Sequence, residues 1–337
     1  MTQCLSVPTR LKELGASVQV HWAIREDLAE LIEHHPHVDK VWRLNRKLGL
    51  NGLLKLIKAL KKENYSHIYD AHNNLRSHLI CLMLRPPWAL SRFFTPPEFL
   101  RKSQKRILRL LLFQFRKNLY EQPFSGQRDL LEPLEAWGLS KDLPSAPQLL
   151  VPASDIQSAL QLIPPNWKES DGPFAGYVAL APSAAYELKR WPLENWAKVI
   201  STETSLRFVL LGGADDHFVD ELRKLAPDRV LNLAGKTSLL ESAAVILNSK
   251  ALIANDTGLL HVGEQLGVPC IALMGPAPFG FPSRDSTVIL QRELSCRPCS
   301  KHGQGPCINP EKQKCLRDIH PEEVSLYLHR QISEPAP

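Results

Sequence analysis

Short apolar runs alternate with longer amphipathic stretches throughout the second half of the chain. The runs are aliphatic and too short for helices, so they predict strands at Tyr177–Ala181, Arg207–Leu211, Val230–Leu233, Ala251–Ala254, Cys270–Met274 and Thr287–Leu290. Between them, apolar residues at helical spacing predict helices at Leu193–Ser201, Asp215–Leu225, Leu239–Asn248 and Leu259–Leu266. Strands separated by helices of this length form parallel βαβ units. This half is therefore predicted to be an α/β, doubly wound parallel sheet.

The first half follows the same alternation with weaker strands. The pattern predicts strands at Val18–Trp22, Val41–Leu44 and His67–Ala71, and helices at Gln3–Leu14, Glu26–His34, Gly52–Glu63, Leu75–Leu84, Arg101–Phe115 and Arg128–Trp137. The Pro- and Gly-rich stretch Val151–Gly176 is interpreted as a linker between two domains. A doubly wound domain normally opens with a strand, whereas this half opens with a helix-like stretch. We therefore expect that the domain lacks its first strand, or that the chain as given starts late.

Composition places the chain among ordinary globular proteins. Of 337 residues, 44% are hydrophobic and 23% charged, which excludes a disordered chain and a coiled coil. No apolar run reaches the roughly 18–20 residues of a membrane span, and Met1–Pro8 lacks the features of a secretory signal. We therefore expect a cytoplasmic protein. The net charge of +6 is too small to indicate nucleic acid as a partner.

Basic residues are concentrated between Arg101 and Lys117. This stretch has seven Lys or Arg residues, no acidic residue, and interleaved aliphatic and aromatic side chains. It is typical of a basic amphipathic helix that meets anionic lipid or a phosphorylated substrate. An ordinary solvated helix whose apolar face packs on the core explains the pattern equally well.

Four of the seven cysteines lie in one Gly- and Pro-rich segment. Cys296, Cys299, Cys307 and Cys315 have the spacing C-x2-C-x7-C-x7-C, which resembles a structural zinc or iron–sulfur site. The C-x2-C pair is not repeated, so reduced structural thiols are the preferred interpretation for a cytosolic protein. We expect no cofactor to be required.

Two loops at strand ends carry candidate chemistry. Asn255-Asp256-Thr257-Gly258 joins a strand to a helix, where backbone amides bind phosphate, and His261 lies one turn further on. An N-cap aspartate followed by a packed histidine is the alternative. The loop after Ala181 contains Ser183 and Lys189, and this lysine suits a pyrophosphate unless it is only a solvated cation. Asp215 follows another strand, where it would bind ribose hydroxyls or, preferably, cap its helix. No dinucleotide or Walker fingerprint is present.

Together these motifs resemble glycosyltransferase family 9, the ADP-heptose:lipopolysaccharide heptosyltransferases. The resemblance covers nearly the whole chain and rests on Lys189-Arg190-Trp191-Pro192, Leu211-Gly212-Gly213-Ala214-Asp215, Asn255 to Gly258 with His261, Gly267-Val268-Pro269, Gly275-Pro276, Cys315 to Ile319, His34 to Asp39 and Asp70 to Ser77. It implies a GT-B fold, in which two Rossmann-like domains face each other across a cleft. The implied division is an acceptor-binding domain at 1–160, a nucleotide-sugar domain at 161–320, and a C-terminal helix at 321–337 that crosses back to the first domain.

The resemblance also implies an ADP-sugar donor and an inner-core lipopolysaccharide acceptor. Lys189 would meet the donor phosphates, Asp215 the ribose, and Thr257 with Gly258 the pyrophosphate, while Asp256 and His261 would lie nearest the sugar; Ser183 completes the donor set. Acceptor phosphates or carboxylates would pair with Arg76, Arg116, Lys117 and Arg128. The implied reaction inverts the anomeric centre without a metal.

The chain departs from the family at its start. Family members begin with a strand and a Gly-Asp loop whose aspartate is taken as the general base, and Gln3–Pro8 resembles the helix that follows it. We therefore expect strand, loop and base to lie upstream of Met1, and no catalytic residue is assigned. Two alternatives stay open: another GT-B nucleotide-sugar enzyme, or a non-catalytic protein that binds a nucleotide sugar or a membrane surface.

Overall fold

The computed structural model of the chain describes residues 1–85, 96–167 and 176–333. Part of the predicted linker, 168–175, and the last four residues of the predicted C-terminal segment, 334–337, lie outside the described residues. Contacts between residues divide the chain into two units. The first comprises Met1, Gln3–Arg106 and Gln127–Ser145, and the second comprises Thr2, Ile107–Gly126 and Ala146–Pro337. The domain ranges and roles expected from the sequence stay predictions.

The first 145 residues contain four strands and six helices in their described part. The strands are β1 (His21–Arg25), β2 (Lys40–Leu44), β3 (His67–Asp70) and β4 (Glu98–Arg101). The helices are α1 (Ser6–Lys12), α2 (Glu30–Glu33), α3 (Gly49–Leu60), α4 (Leu75–Leu84), α5 (Arg106–Phe115) and α6 (Gly126–Leu131).

The rest of the described chain contains the remaining elements. Its strands are β5 (Val178–Ala181), β6 (Phe208–Leu210), β7 (Val230–Asn232), β8 (Leu252–Asn255), β9 (Cys270–Leu273) and β10 (Thr287–Leu290). Its helices are α7 (Ala153–Leu162), α8 (Leu193–Thr202), α9 (Asp220–Leu225), α10 (Leu239–Leu247), α11 (Gly258–Leu266), α12 (Lys314–Arg317) and α13 (Pro321–Ser333).

One parallel sheet organises the second unit. Its order is β10-β9-β8-β5-β6-β7, and every neighbouring pair is parallel. All residues of β5, β6, β8 and β9 are buried, as expected for a parallel sheet covered on both faces. The six strands predicted for this half are confirmed to within one or two residues. The helix predicted from Asp215 is wrong in its first turns, because a 3-10 turn, His217–Val219, precedes α9.

Helix α7, in the predicted linker, and helix α13, near the C-terminus, belong to the second unit. The linker prediction is wrong for 153–162, where α7 buries Ala159 completely. The prolines there only flank the helix, and Pro152 occupies its N-cap position. Near the C-terminus, α13 buries Val324 and Leu328 in the core of the second unit, and its crossing to the other domain stays a prediction.

The first unit has two separate strand pairs among its described residues. β1 pairs with β2 and β3 pairs with β4, both in parallel. The helix predicted at Arg101–Phe115 is confirmed from Arg106 to its end as α5, and it is wrong only for its first five residues, because Arg101 ends β4. The first strand also lies three residues later than predicted. None of the helices in the described ranges is both long and apolar enough to cross a membrane.

Candidate donor site in the second unit

Asn255 ties together the loops that follow β5 and β8, which are neighbours in the sheet. The side chain is completely buried. Its Nδ2 donates to the carbonyl of Pro182 at 2.6 Å, and its Oδ1 accepts from the backbone N–H of Trp191 at 3.0 Å. A buried amide satisfied on both sides fixes its surroundings. Two loops at the carboxyl edge of the sheet, where ligands of doubly wound folds bind, are therefore held in place.

The next residues open helix α11. Thr257 is the N-cap, its side chain makes no capping hydrogen bond, and the helix starts at Gly258. The first amides of a helix have no partner within the helix, and the helix dipole adds positive potential there. Gly258 is exposed, and a Cβ added to it would meet nothing within 4 Å. This turn therefore presents amides without a side chain in front of them.

Lys189 and Asp256 form an ion pair beside that turn. The lysine Nζ lies 2.5 Å from Oδ2 of the aspartate, and the two side chains are only 14% and 7% exposed. Gly280 makes room for the carboxylate, since a Cβ there would stand 2.0 Å from Asp256 Oδ1. A cation largely withdrawn from water beside free helix amides is suited to a phosphate group.

His261 and Glu264 lie one turn into α11. The Nδ1 atom of His261 lies 2.8 Å from Glu264 Oε2, and both side chains are buried. The other carboxylate oxygen of Glu264 accepts from the backbone N–H groups of Ser283 and Arg284. Glu264 thus fixes the histidine ring and joins α11 to the loop before β10.

The loop after β6 is held by Asp216, which the sequence analysis overlooked. Asp216 accepts from the N–H of Gly213 at 2.7 Å and lies 3.6 Å from the Arg190 guanidinium. It also occupies the N-cap position of the 3-10 turn, so the preferred interpretation of Asp215 as a helix cap is wrong. Asp215 itself is exposed, and its ribose role stays a prediction.

The segment that carries the four cysteines packs on the Lys189 loop. Gly303 has φ +84°, and a Cβ there would stand 2.7 Å from Lys189 Cγ. Gln304 donates to the Tyr186 hydroxyl at 2.7 Å, and Gln313 donates to the carbonyl of Glu187 at 2.9 Å. The aliphatic stem of Lys189 is therefore confined from the cysteine side.

Two further basic residues lie near Lys189. Partial desolvation, together with the nearby cations Lys301, Lys189 and Arg109, lowers the pKa of the exposed His302. The Arg109 guanidinium lies 5.2 Å from the Phe279 ring centroid, and its Nε is buried without a hydrogen-bond partner among the described residues. The sequence places Arg109 in a basic helix but does not link it to this site. The structure does so, because Arg109 lies near Phe279 and His302.

The four cysteines themselves line one cavity of about 10 Å³. Burial raises the pKa of Cys315 to about 11, and burial with neighbouring thiols raises that of Cys299. Within the described residues, no group of three or more His, Cys, Asp or Glu side chains is arranged so that it could hold a metal ion.

The predicted acceptor residues are divided between the units. Arg76 and Arg128 are exposed in the first unit, while Arg116 and Lys117 are exposed after α5 in the second. Arg116 donates to the carbonyl of Pro298. Their role in acceptor binding stays a prediction.

A family model described as "Glycosyltransferase family 9 (heptosyltransferase)" matches residues 53–306, well over half of the chain. The chain belongs to glycosyltransferase family 9. The family expected from the motifs is thereby confirmed. Among curated relatives of this family 9 chain, lipooligosaccharide heptosyltransferase 2 of Haemophilus influenzae is 31% identical over 54% of the chain and 56% of that protein. The corresponding Haemophilus ducreyi protein is 29% identical over 62% and 64%. The chain thus spans less than two thirds of the length of these two relatives.

Solved structures confirm the predicted GT-B fold. A family 9 glycosyl transferase from Veillonella parvula has a TM-score of 0.75 at 18% identity, covering 99% of this chain and 94% of that one. Escherichia coli ADP-heptose lipopolysaccharide heptosyltransferase II has a TM-score of 0.71 at 20% identity, covering 99% and 95%. An Escherichia coli heptosyltransferase solved with ADP has a TM-score of 0.65 at 18% identity, covering 98% and 95%.

Proposed function

We propose that this family 9 member is an inverting heptosyltransferase that moves heptose from ADP-heptose to the inner core of lipopolysaccharide. The names of its relatives and the ADP complex of a protein with the same fold support this choice. The observation that carries the proposal is the Lys189–Asp256 pair beside the open first turn of α11.

The donor diphosphate binds at this turn. The amides of Gly258 and the residues after it donate to phosphate oxygens, and Lys189 supplies a charge-assisted hydrogen bond. Asp256 is then free to accept from sugar hydroxyls, while Glu264 keeps the His261 ring oriented. Ser183 and Asp215, on neighbouring loops, complete the donor set. Arg109 and His302 add basic groups on the side of Phe279.

Transfer proceeds by in-line attack of an acceptor hydroxyl on the anomeric carbon. The bond from that carbon to the phosphate oxygen breaks, ADP leaves, and the anomeric configuration inverts. Lys189 and the amides of α11 stabilise the charge that develops on the leaving diphosphate. The acceptor proton goes to a general base, for which no described residue is assigned. Since the lysine and the helix provide the positive charge, the reaction as proposed requires no metal.

Titration calorimetry with ADP and with UDP tests the donor site. Lys189→Ala is expected to weaken ADP binding about 10- to 100-fold, because a hydrogen bond to a charged group contributes about 1.5–3 kcal/mol. Lys198→Ala is the matched control, since Lys198 is an exposed lysine on α8. Equal loss in both variants, or tighter binding of UDP than of ADP, would contradict the proposal.

Gly258→Ala tests the backbone contact separately. A Cβ there meets nothing within 4 Å, so the variant is expected to keep its unfolding free energy within about 0.5 kcal/mol. ADP affinity is nevertheless expected to fall about tenfold, because the methyl group occupies space that a phosphate needs. Unchanged ADP affinity would place the diphosphate elsewhere.

Transfer itself is tested with ADP-heptose and an inner-core lipopolysaccharide acceptor. The expected product has the anomeric configuration opposite to the donor, as determined by nuclear magnetic resonance. Retention of configuration would exclude the mechanism, and transfer to acceptors outside the inner core would exclude the acceptor class. Arg76, Arg116, Lys117 and Arg128 are proposed to hold the anionic groups of the acceptor.

The proposal includes contact with the inner-membrane surface, where such an acceptor is anchored. Helix α5 exposes Ile107 and Leu110, which are 74% and 57% exposed, with Arg106 on the same helix. Sedimentation with anionic vesicles at two salt concentrations tests this contact. Binding that weakens at high salt is expected, and equal binding to neutral vesicles would contradict it.

A further inference from the structure

The segment between β10 and α12 is unusually long for a structure without helices or strands. From Gln291 to Gln313 no residue is helical or in a strand. Connections longer than about 12–15 residues without secondary structure are uncommon in compact domains, and small loop-rich regions usually need a cross-link. Nevertheless Gly303 is buried against Lys189. Something other than regular structure must therefore fix this segment.

Three cysteines of this segment line one cavity with Cys315 of α12. Cys296, Cys299, Cys307 and Cys315 line the same cavity of about 10 Å³, together with apolar Leu188 and Pro276. A cavity of roughly this size holds about one water-sized sphere, so it accommodates a single atom and no larger ligand. Four thiols around room for one atom match the donor set of a tetrahedral thiolate site.

Two of the four sulfurs receive hydrogen bonds from nitrogen. Asn309 Nδ2 donates to Cys296 Sγ at 3.4 Å, and the backbone N–H of Gln313 donates to Cys307 Sγ at 3.3 Å. Gln313 adopts φ +57° at the N-cap of α12, the helix that carries Cys315. Such donors stabilise sulfur as thiolate and orient it towards a metal.

A partly buried cation, Arg297, lies between the first two cysteines in sequence. Arg297 donates to the Gln291 side chain at 3.2 Å and to the carbonyl of Arg292, while its Nε is buried without a hydrogen-bond partner in the described part of the chain. A buried guanidinium is costly without negative charge nearby. A divalent ion with four thiolates carries a net charge of −2, which would offset this cation.

We propose that Cys296, Cys299, Cys307 and Cys315 bind one thiophilic divalent metal ion, of the class of zinc and iron(II), which fixes the segment that confines Lys189. Four thiols each lose a proton to solvent and form four metal–sulfur bonds, and no electron is transferred. As they are arranged in the described residues, no three His, Cys, Asp or Glu side chains could hold a metal ion, so the four thiolates must move together as the ion binds.

Metal analysis of the full chain, purified under reducing conditions without chelator, tests the proposal. Mass spectrometry is expected to find about one zinc or iron ion per chain. The double variant Cys296→Ser/Cys299→Ser is expected to retain less than about a tenth of that amount, because two thiolates cannot complete a tetrahedron. Cys4→Ser, which removes a cysteine far along the chain from this segment, is the control and keeps its metal. Metal retained in the double variant, or a disulfide in place of the metal, would overturn the proposal.

Cobalt titration of the chelator-treated wild type gives a second readout if the double variant fails to fold. We expect an intense thiolate-to-cobalt charge-transfer band that saturates at about one ion per chain. The absence of that band from the folded protein would overturn the site.

The link to Lys189 rests on the proposed donor function. If both hold, chelation weakens ADP binding about tenfold, since a small displacement of a positioning group is costly. Metal content does not depend on ADP, so the two failures can be told apart. Metal bound without effect on ADP affinity would refute the link alone, and metal absent with normal ADP binding would refute the metal site alone.

Discussion

The two units of the chain are stabilised in different ways. In the second unit the central strands β5, β8 and β9 are buried along their whole length, and large side chains such as Trp191 and Phe208 pack around them. In the first unit the strands form separate pairs, and most of their residues are partly exposed. Two-stranded pairs are marginally stable alone, and parallel strands usually need both faces covered.

Ionic contacts to buried carboxylates join the elements of the first unit. Asp70, at the end of β3, accepts from Arg101 at 2.8 Å, from Ser77 at 3.0 Å and from two backbone N–H groups of its own loop. Asp129 pairs with Lys102 and Lys105, each at 2.8 Å. Buried ion pairs of this kind specify geometry more than they add stability.

The contrast between a continuous sheet and separate strand pairs indicates which unit keeps its structure without bound ligand. The donor site stands on a continuous sheet whose loops are tied by a neutral amide, Asn255. Sites built on rigid elements keep their geometry without ligand. The first unit depends on charged groups to join its elements, so we expect it to open first.

Hydrogen exchange provides the largest test of this contrast. Amides of Leu180, Ile253 and Ile271 in the second unit are expected to be protected by about 5 kcal/mol more than those of Ala23 and Ile68, because opening free energies range from near zero to the global value. Exchange monitored by nuclear magnetic resonance or mass spectrometry measures this difference. Equal protection in both units would show that the paired strands are as stable as the continuous sheet.

A pair of tryptophan substitutions is expected to have the next largest effect. Trp191 is 2% exposed, stacks edge-on against Trp196 at 5.2 Å and donates to the carbonyl of Ile319, so Trp191→Ala should cost about 3–5 kcal/mol. Trp22, which is only partly buried in the first unit, is the matched control, and Trp22→Ala should cost about 2 kcal/mol or less. Urea unfolding measures both. A larger loss at Trp22 would reverse the comparison.

The difference between the units also explains how far the sequence could predict the fold. Fully buried strands such as Cys270–Leu273 are continuous apolar runs, so the sequence predicts their bounds to within one or two residues. Strand β4, Glu98–Arg101, is only four residues long, with two apolar residues between two charged ones, and it pairs with a strand that is distant in sequence. Its pairing with β3 decides its conformation, and because that pairing leaves no local pattern, the sequence predicts no strand there and places Arg101 at the start of a helix.

The donor site could be predicted only where its residues lie close in sequence. Asn255 to Gly258 and His261 form one local strand–loop–helix unit, which the sequence displays directly. Asp216 was overlooked because Asp215 has the same chemistry, and only the geometry of the loop distinguishes them. Arg109 and Gly303 are far along the chain from Lys189, and no spacing links them.

Two reciprocal substitutions, Asp70→Asn and Asn255→Asp, test the buried polar side chains that join the loops of each unit. Their expected effects on the free energy of unfolding lie between those of the tryptophan and tyrosine variants. The four hydrogen-bond partners of the Asp70 carboxylate described above are donors, so Asp70→Asn places an NH2 group against N–H or O–H and should cost about 2 kcal/mol. Asn255 needs one donor and one acceptor, so Asn255→Asp should cost about as much by setting a carboxylate oxygen against the Pro182 carbonyl. Chemical unfolding measures both variants.

The two substitutions are expected to affect different units of the chain. Asp70→Asn is expected to raise exchange in β3 and β4 and to leave ADP affinity unchanged. Asn255→Asp is expected to lower ADP affinity as well as stability, since it loosens the loops of Ser183 and Asp256. The separation would be contradicted if Asp70→Asn lost ADP binding while the amide hydrogen exchange of its second unit stayed unchanged.

Two buried tyrosines provide the smallest and most closely matched test. Tyr177 donates to the carbonyl of Val245 at 2.7 Å in the second unit, and Tyr69 donates to the carbonyl of Leu130 at 2.5 Å in the first. Burial raises the pKa of both hydroxyls. Tyr177 is only 3% exposed, so Tyr177→Phe leaves a carbonyl that water cannot reach and should cost about 1 kcal/mol. Tyr69 is partly exposed, so water can replace its hydroxyl and Tyr69→Phe should cost about 0.5 kcal/mol or less. Urea unfolding measures both losses of unfolding free energy. If they were equal, the first unit would exclude water as fully as the second, which would contradict the contrast drawn between the two units.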